Sequence, residues 1–386
     1  MDDLSPRSPT MGTDETPGPG APAMRPPRRD AAARADARDG DRVAGPLGTN
    51  GTGPAPARAE GARDDLDQVV RALLDAAPAC GVAATVAPAG ADADAVLEVP
   101  ADATASDPAL VRALVARLPW PARVVGSRPA AEGIGAAGGG ATVFAVAVDL
   151  GPRWGVVRVA LARTGGPDAR ARREPAVARG LVIAVYGVDG SGKSTLIERL
   201  AGALAPVFEG LDRWHLFQYQ VPGVAHVPVP EPHAQTPRSA ATSVAKIAWY
   251  VARAWFGRTP AVAAAERRGR LVVLDRDVFD VWVDPIRYRY GGPLWIVHAA
   301  MRLAPRPTLA IVLDADEASI LARSGELTRD ALTRLLGRYR QLAARHAWAR
   351  TVDARRTPEG VLHEACAVVF EVLARRYDGA ERRAGG

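Results

Sequence analysis

The second half of this 386-residue chain predicts a parallel α/β fold, on three observations. Short apolar segments without polar alternation, "GLVIAVYG", "RLVVLD" and "TLAIVLD", recur between amphipathic stretches, as strands covered by helices on both faces do. The first of them runs into a glycine-rich turn, "GVDGSGKST", followed by a helix with Leu196, Ile197 and Leu200 on one face. "RLVVLD" ends in Asp275, delivering a carboxylate to the edge of the sheet where such folds bind ligands.

Element by element, residues 180–378 predict five strands, "GLVIAVYG", "RWHLFQ", "RLVVLD", "TLAIVLD" and "ARTVDA". Helices are expected around 193–204, 238–256, 293–303, 316–323, 329–346 and 358–375. Ahead of them, residues 63–165 read as a small α+β domain. It opens on a helix with Val69, Val70, Leu73 and Leu74 on one face, and continues with a strand "AVLEV" and a helix "DPALVRALVARL". Three strands follow, "ARVVG", "ATVFAVAVDL" and "WGVVRVALAR". Residues 166–179 read as a linker. Residues 1–62 are rich in Pro, Gly, Ala, Arg and Asp, with almost nothing to bury, and are expected to be a disordered tail, as are 379–386.

Composition narrows the function classes. The net charge of +6 arises from 49 basic against 43 acidic residues, yet only Lys193 and Lys246 are lysines. So strong a bias toward Arg, Ala, Gly and Pro reflects coding composition, and the basic balance is no argument for a nucleic-acid partner. Cys80 and Cys366 lack metal-ligand spacing and read as reduced thiols, and the six histidines form no zinc pattern. The acidic start "MDDLSPRSPTMG" has no apolar signal region, and no apolar run approaches the roughly 20 residues of a membrane span. A cytoplasmic protein without nucleic-acid or membrane partners is the expectation.

Gly187, Gly192, Lys193 and Ser194 satisfy G-x-x-x-x-G-K-[ST]. Such a loop wraps a phosphate with consecutive backbone N–H groups, and glycine permits the dihedrals and the close approach. Lys193 is then placed for the β/γ-phosphate oxygens, Ser194 for Mg2+, and the helix N-terminus adds its dipole. Asp275 is a second candidate Mg2+ ligand and Arg276 a clamp for a phosphoryl oxygen; the alternative is a structural Asp–Arg pair. In "RSGELTRD", Arg323 reads as part of a cover over the phosphates, the alternative being a plain connection in which Thr328 caps the next helix. Arg287 or Arg289, within "WVDPIRYRYGG" with Asp280 and Asp284, could bind an acceptor phosphate, or sit in a solvated loop pinned by Tyr288 and Tyr290. Lys246 and His215 are weaker acceptor-side candidates.

Together, "GVDGSGKST", the Asp275-Arg276 pair, "APRPTLAIVLDADEASILAR" and a closing "VDA" strand resemble the thymidylate kinase family over roughly 180–375. The resemblance implies a P-loop kinase with a five-stranded parallel sheet covered by helices, using ATP and Mg2+. Its donor site would be the loop 187–195, with Gly187, Asp189, Gly190, Ser191, Gly192, Lys193, Ser194 and Thr195. Magnesium would fall to Ser194 and Asp275, and catalysis to Lys193, Asp275, Arg276 and Arg323. Two departures stand out. The family's Arg-Glu-Pro-like element after the second strand is replaced by "HLFQYQVPGVAHVPVPEPH", and the aromatic after Asp-Arg by Asp277. The layout is similar to a divergent branch that includes forms found in bacterial polysaccharide pathways.

The resulting expectation is a nucleotide kinase-like phosphotransferase acting on a small phosphate acceptor, a nucleotide or sugar phosphate, with a homodimer compatible with the sequence. The rival is an ATP-binding regulatory or scaffold module with little turnover. In the first domain, Asp92, Asp94 and Asp149 are spaced like a nucleotidyltransferase metal triad, but its upstream Gly-Ser element is missing, and a degenerate, non-catalytic relative is expected. "GIGAAG", Gly133 to Gly138, has a strand after it and no acidic residue about 20 positions on, and reads as a loop.

Overall fold

The computed structural model describes residues 60–87, 93–100, 107–129, 141–164, 180–215, 235–323 and 327–385. The first part comprises α1 (Glu60–Ala76), β1 (Ala83–Val86), β2 (Ala95–Pro100), α2 (Asp107–Val115), β3 (Ala122–Pro129), β4 (Ala141–Asp149) and β5 (Trp154–Thr164). Its strands form a mixed sheet in the order β1-β2-β5-β4-β3, in which β2 and β5 are parallel and the other pairs antiparallel. Val69 and Leu73 of α1 and Val111 and Leu114 of α2 cover one face, packing on Leu97, Phe144, Val157 and Val159.

The second part runs β6 (Leu181–Tyr186), α3 (Lys193–Leu204), β7 (Leu211–His215), α4 (Ala240–Arg253), α5 (Thr259–Arg267), β8 (Leu271–Asp275) and α6 (Val278–Val283). It continues with α7 (Leu294–Leu303), β9 (Leu309–Asp314), α8 (Glu317–Arg323), α9 (Arg329–Arg345), β10 (Ala349–Asp353) and α10 (Pro358–Gly385). All five strands are parallel, in the order β10-β9-β6-β8-β7. The absence of polar alternation in β6 now has its cause. Val182, Ala184 and Tyr186 point into one core, Leu181, Ile183 and Val185 into the other, and both are covered by helices. From β6 the chain crosses to β7 on one side, and from β9 to β10 on the other, so the loops after β6 and β9 flank the switch point of the sheet.

The long α10 joins the two sheets. Ala365, Val369, Phe370 and Leu373 share a core with Ile183 and Ile311 of the parallel sheet and with Val125, Ala147 and Val156 of the mixed one. Tyr377, further along, enters the core under α1 and α2.

The structure departs from the sequence reading in several places, one being α5, a helix that reading left unmarked. α1 begins at Glu60 rather than Arg63, and α10 runs to Gly385 instead of giving way to a disordered end at 379, its last turns being rich in the helix formers Ala, Arg and Glu. β1, four residues and largely exposed, carries no apolar alternation that would reveal it. α6, "VFDVWV", has the composition of a strand. It is helical because Asp277 accepts from the Phe279 N–H while Asp280 reaches back to the Asp277 N–H, a capping box that overrides β propensity. Among the described residues, no helix is long and apolar enough to cross a membrane.

Candidate functional site

The loop between Tyr186 and Lys193 is shaped by its glycines. Gly190 and Gly192 have φ of 83° and 92°, the left-handed region that side chains avoid. A Cβ on Gly187 would lie 2.5 Å from Ser191 Oγ, so a larger residue there would have to displace the Ser191 side chain. The Ser191 hydroxyl is buried and makes no hydrogen bond with the described residues, while the space beside Gly192 is open. A buried hydroxyl without a partner at a helix N-terminus suits an anionic oxygen. Ser194 and Thr195 are exposed on the first turn of α3.

The charges around the loop are gathered from distant segments. Lys193 Nζ donates to the carbonyls of Gly187 and Val188, both at 2.9 Å, and to Asp189 Oδ1 at 3.3 Å. Arg276 donates to the same Asp189 oxygen and Arg287 to the other. Arg323 Nη1 donates to the Gly190 carbonyl at 3.2 Å. Burial pushes the Asp189 carboxyl up, but Arg276, Lys193 and Arg287 outweigh it and hold the group well below the usual carboxylate range. Lys193 shifts down, through burial first and Arg276 second, with Asp189 and Asp280 opposing.

Asp275 and Arg276 end β8 with separate partners. Asp275 is buried and accepts from Arg213 Nη2 of β7 at 2.5 Å. Arg276 has φ of 68°, a left-handed conformation that costs a non-glycine residue on the order of 1–3 kcal/mol and is held here by its pairing with Asp189. Beneath them, Tyr186 donates to Asp277 at 2.8 Å and Tyr339 to Asp280 at 3.0 Å. Burial pushes the Asp280 carboxyl up to about 7, with Arg276 drawing it down and Asp277 pushing it further up.

Nearby, Arg238, Ser243, Lys246, Tyr288 and Arg289 surround a cavity of about 10 Å³, room for one water. Burial, followed by Arg238 and Arg289, lowers Lys246 to about 8. Tyr288 also lies against Arg276, so this cavity borders the charge cluster at the loop. Of the sequence candidates, Arg287 thus belongs to the phosphate loop and Arg289 to this cavity. Tyr288 and Tyr290 are buried, as the pinned-loop reading requires. Thr328 caps α9, accepting from the Ala331 N–H at 3.4 Å, as the plain-connection reading expects, and Arg323 reaches the loop through the Gly190 carbonyl. Residues 324–326, most of "HLFQYQVPGVAHVPVPEPH", the side chain of His215, "GIGAAG" and Asp92 lie outside the described residues. Asp94 accepts from the Arg158 N–H at 2.7 Å, and Asp149 from the Gly151 N–H at 3.0 Å with His363 Nε2 also at 3.0 Å.

The sequence reading missed Arg213, Arg238, Ser243 and Tyr186. Only Tyr186 leaves a trace in the sequence, as a polar tip ending an otherwise apolar strand.

No protein-family model matches the chain. It is 32% identical over 218 residues to the thymidylate kinases of Xanthomonas campestris pv. campestris strains B100 and 8004, an alignment covering 51% of this chain and 86% of each relative. The chain belongs to the thymidylate kinase family. A solved thymidylate kinase from Candida albicans is 18% identical with a TM-score of 0.36, covering 50% of this chain and 91% of that one. Within the thymidylate kinase frame, Asp277 replaces the expected aromatic, and the structure gives that aspartate a task. It caps α6 and receives the Tyr186 hydroxyl, fixing the segment that carries Arg276. The family accounts for about half of the chain.

Proposed function

We propose that the chain is an ATP- and Mg2+-dependent phosphotransferase of the nucleoside monophosphate kinase type, moving the γ-phosphoryl group of ATP to a phosphate-bearing acceptor. The observation that carries this reading is the convergence of Arg276, Arg287 and Arg323, from three separate segments, on one glycine-rich loop that carries Lys193. Phosphoryl transfer depends chiefly on positioning and on neutralising charge, and this arrangement supplies both.

The loop N–H groups, the Ser191 hydroxyl and Lys193 would bind the donor phosphates. Arg276 and Arg287, now paired with Asp189, would exchange that carboxylate for phosphoryl oxygens. Ser194 and Asp275 would hold magnesium, which supplies charge neutralisation at the donor oxygens. Arg238, Lys246 and Arg289 would receive the anionic end of the acceptor, with Tyr288 linking their cavity to Arg276. Because its relatives are thymidylate kinases, nucleoside monophosphates are the first acceptors to examine, with sugar phosphates second.

The narrowness of that cavity favours a second reading, an ATP-binding regulatory or scaffold module with little turnover. The two separate on ADP release with ATP and Mg2+ across a panel of nucleoside monophosphates and sugar phosphates. The kinase predicts release stimulated many-fold by at least one acceptor. Release that is unchanged by every acceptor would contradict it.

A further inference from the structure

A second cavity, of about 260 Å³, lies between the two sheets. One wall is the face of the mixed sheet carrying Arg128 of β3, Val143 and Ala145 of β4 and Arg158 of β5. The other consists of the chain after α3, Pro206 to Glu209, and the turn after α5 with Arg267 and Arg268. Both segments of this second wall precede strands β7 and β8, whereas the phosphate loop follows strand β6. The cavity is therefore at the opposite edge of the parallel sheet. The twelve residues of α3, roughly 18 Å of helix, separate Lys193 from this wall.

We propose that this cavity is a binding site for a small phosphorylated molecule, built jointly by the two sheets and distinct from the ATP and acceptor sites. Three features argue for it. The first is charge. Four arginines, Arg128, Arg158, Arg267 and Arg268, line one concavity whose acidic lining among the described residues is Glu209, 3.7 Å from Arg128. Gathering like charges in a concave, partly desolvated space is unfavourable by itself and raises the local potential for an anion. The second is the lining between the arginines. Val143, Ala145, Pro206 and Val207 form an apolar surface suited to the carbon skeleton of an organic phosphate rather than to a bare ion. The third is size. The volume is just below the roughly 300–1,000 Å³ usual for small-molecule sites, which limits the ligand to about a sugar phosphate or a nucleoside monophosphate. A ligand touching both walls would also tie the mixed sheet to the kinase fold.

The test is calorimetric titration of the full chain with ribose 5-phosphate, AMP and inorganic phosphate, together with three variants. Arg268→Glu reverses a charge at an exposed position, where folding is not at risk. Ala145→Phe fills the cavity with its charges intact. Lys246→Ala disables the acceptor side only. The proposal expects at least one organic phosphate to bind the parent and Lys246→Ala alike, and at least tenfold more weakly to Arg268→Glu and Ala145→Phe. It is overturned if none of the probes binds at millimolar concentration, or if binding is lost in Lys246→Ala and kept in the cavity variants. It is equally overturned if inorganic phosphate binds as well as the organic phosphates and Ala145→Phe changes nothing, which would mark an unspecific charged surface.

Discussion

Replacing Asp189 with asparagine keeps the shape of the side chain and removes the one carboxylate on which Lys193, Arg276 and Arg287 converge. Breaking a buried charge cluster by removing one partner typically costs about 3–5 kcal/mol. The Asp189 side chain is 33% exposed, so water screens part of that loss, and about 2–3 kcal/mol is the expected cost. For a chain of this size that lowers the melting temperature by roughly 5 °C. The Asp189 carboxyl is held below its ordinary range, so its contribution is complete above that range and disappears as pH falls through the lowered value. Parent and variant should therefore converge in strong acid. The assay is thermal melting of both proteins near neutral pH, with and without millimolar tripolyphosphate. The added anion returns the missing negative charge, so it should stabilise Asp189→Asn by several degrees more than the parent. An Asp189→Asn variant that melts like the parent, or equal stabilisation of the two by tripolyphosphate, would refute the reasoning.

Two further outcomes follow from buried groups. Asp280 is raised from its ordinary value to about 7, so its contribution to stability is complete below the ordinary carboxylate range and is lost as pH rises to about 7. Asp280→Asn should flatten the decline in melting temperature between pH 4 and 7, and a variant with the parent's slope would count against the assignment. Phe370 of α10 is fully buried between the two sheets, 5.2 Å from the ring of Trp154. Phe370→Ala should cost about 3–5 kcal/mol, read as a lower urea midpoint with an unchanged slope; a loss under about 1 kcal/mol would show that α10 is not the joint between the sheets.

The parallel sheet was legible because its three central strands, β9, β6 and β8, are buried on both faces and so carry unbroken apolar runs. The phosphate loop was legible because glycine spacing there is a backbone requirement, visible in the positive φ of Gly190 and Gly192. The helix α6 was not, because two aspartates at its N-terminus decide against the composition of "VFDVWV". Nor was the pairing of Asp189 with Arg276 and Arg287, since those residues are 87 and 98 positions apart and only the topology brings them together. Asp275 was correctly placed at the end of a buried strand, but its engagement by Arg213 depends on the register of β7 against β8, which no local pattern encodes.

The central claim, that this loop binds ATP for transfer rather than for binding alone, is tested most directly by comparing Lys193→Ala with Arg276→Ala. Lys193 belongs to the loop itself, so its loss should weaken both ATP affinity and turnover. Arg276 reaches the loop through Asp189 and lies against Tyr288 at the proposed acceptor cavity. Its loss should leave ATP affinity within a few-fold of the parent and lower acceptor-stimulated ADP release on the order of 10³-fold. Calorimetric ATP binding beside steady-state ADP release measures both. Arg276→Ala turning over like the parent, with ATP affinity also unchanged, would contradict the account and leave the Asp275–Arg276 pair a structural feature.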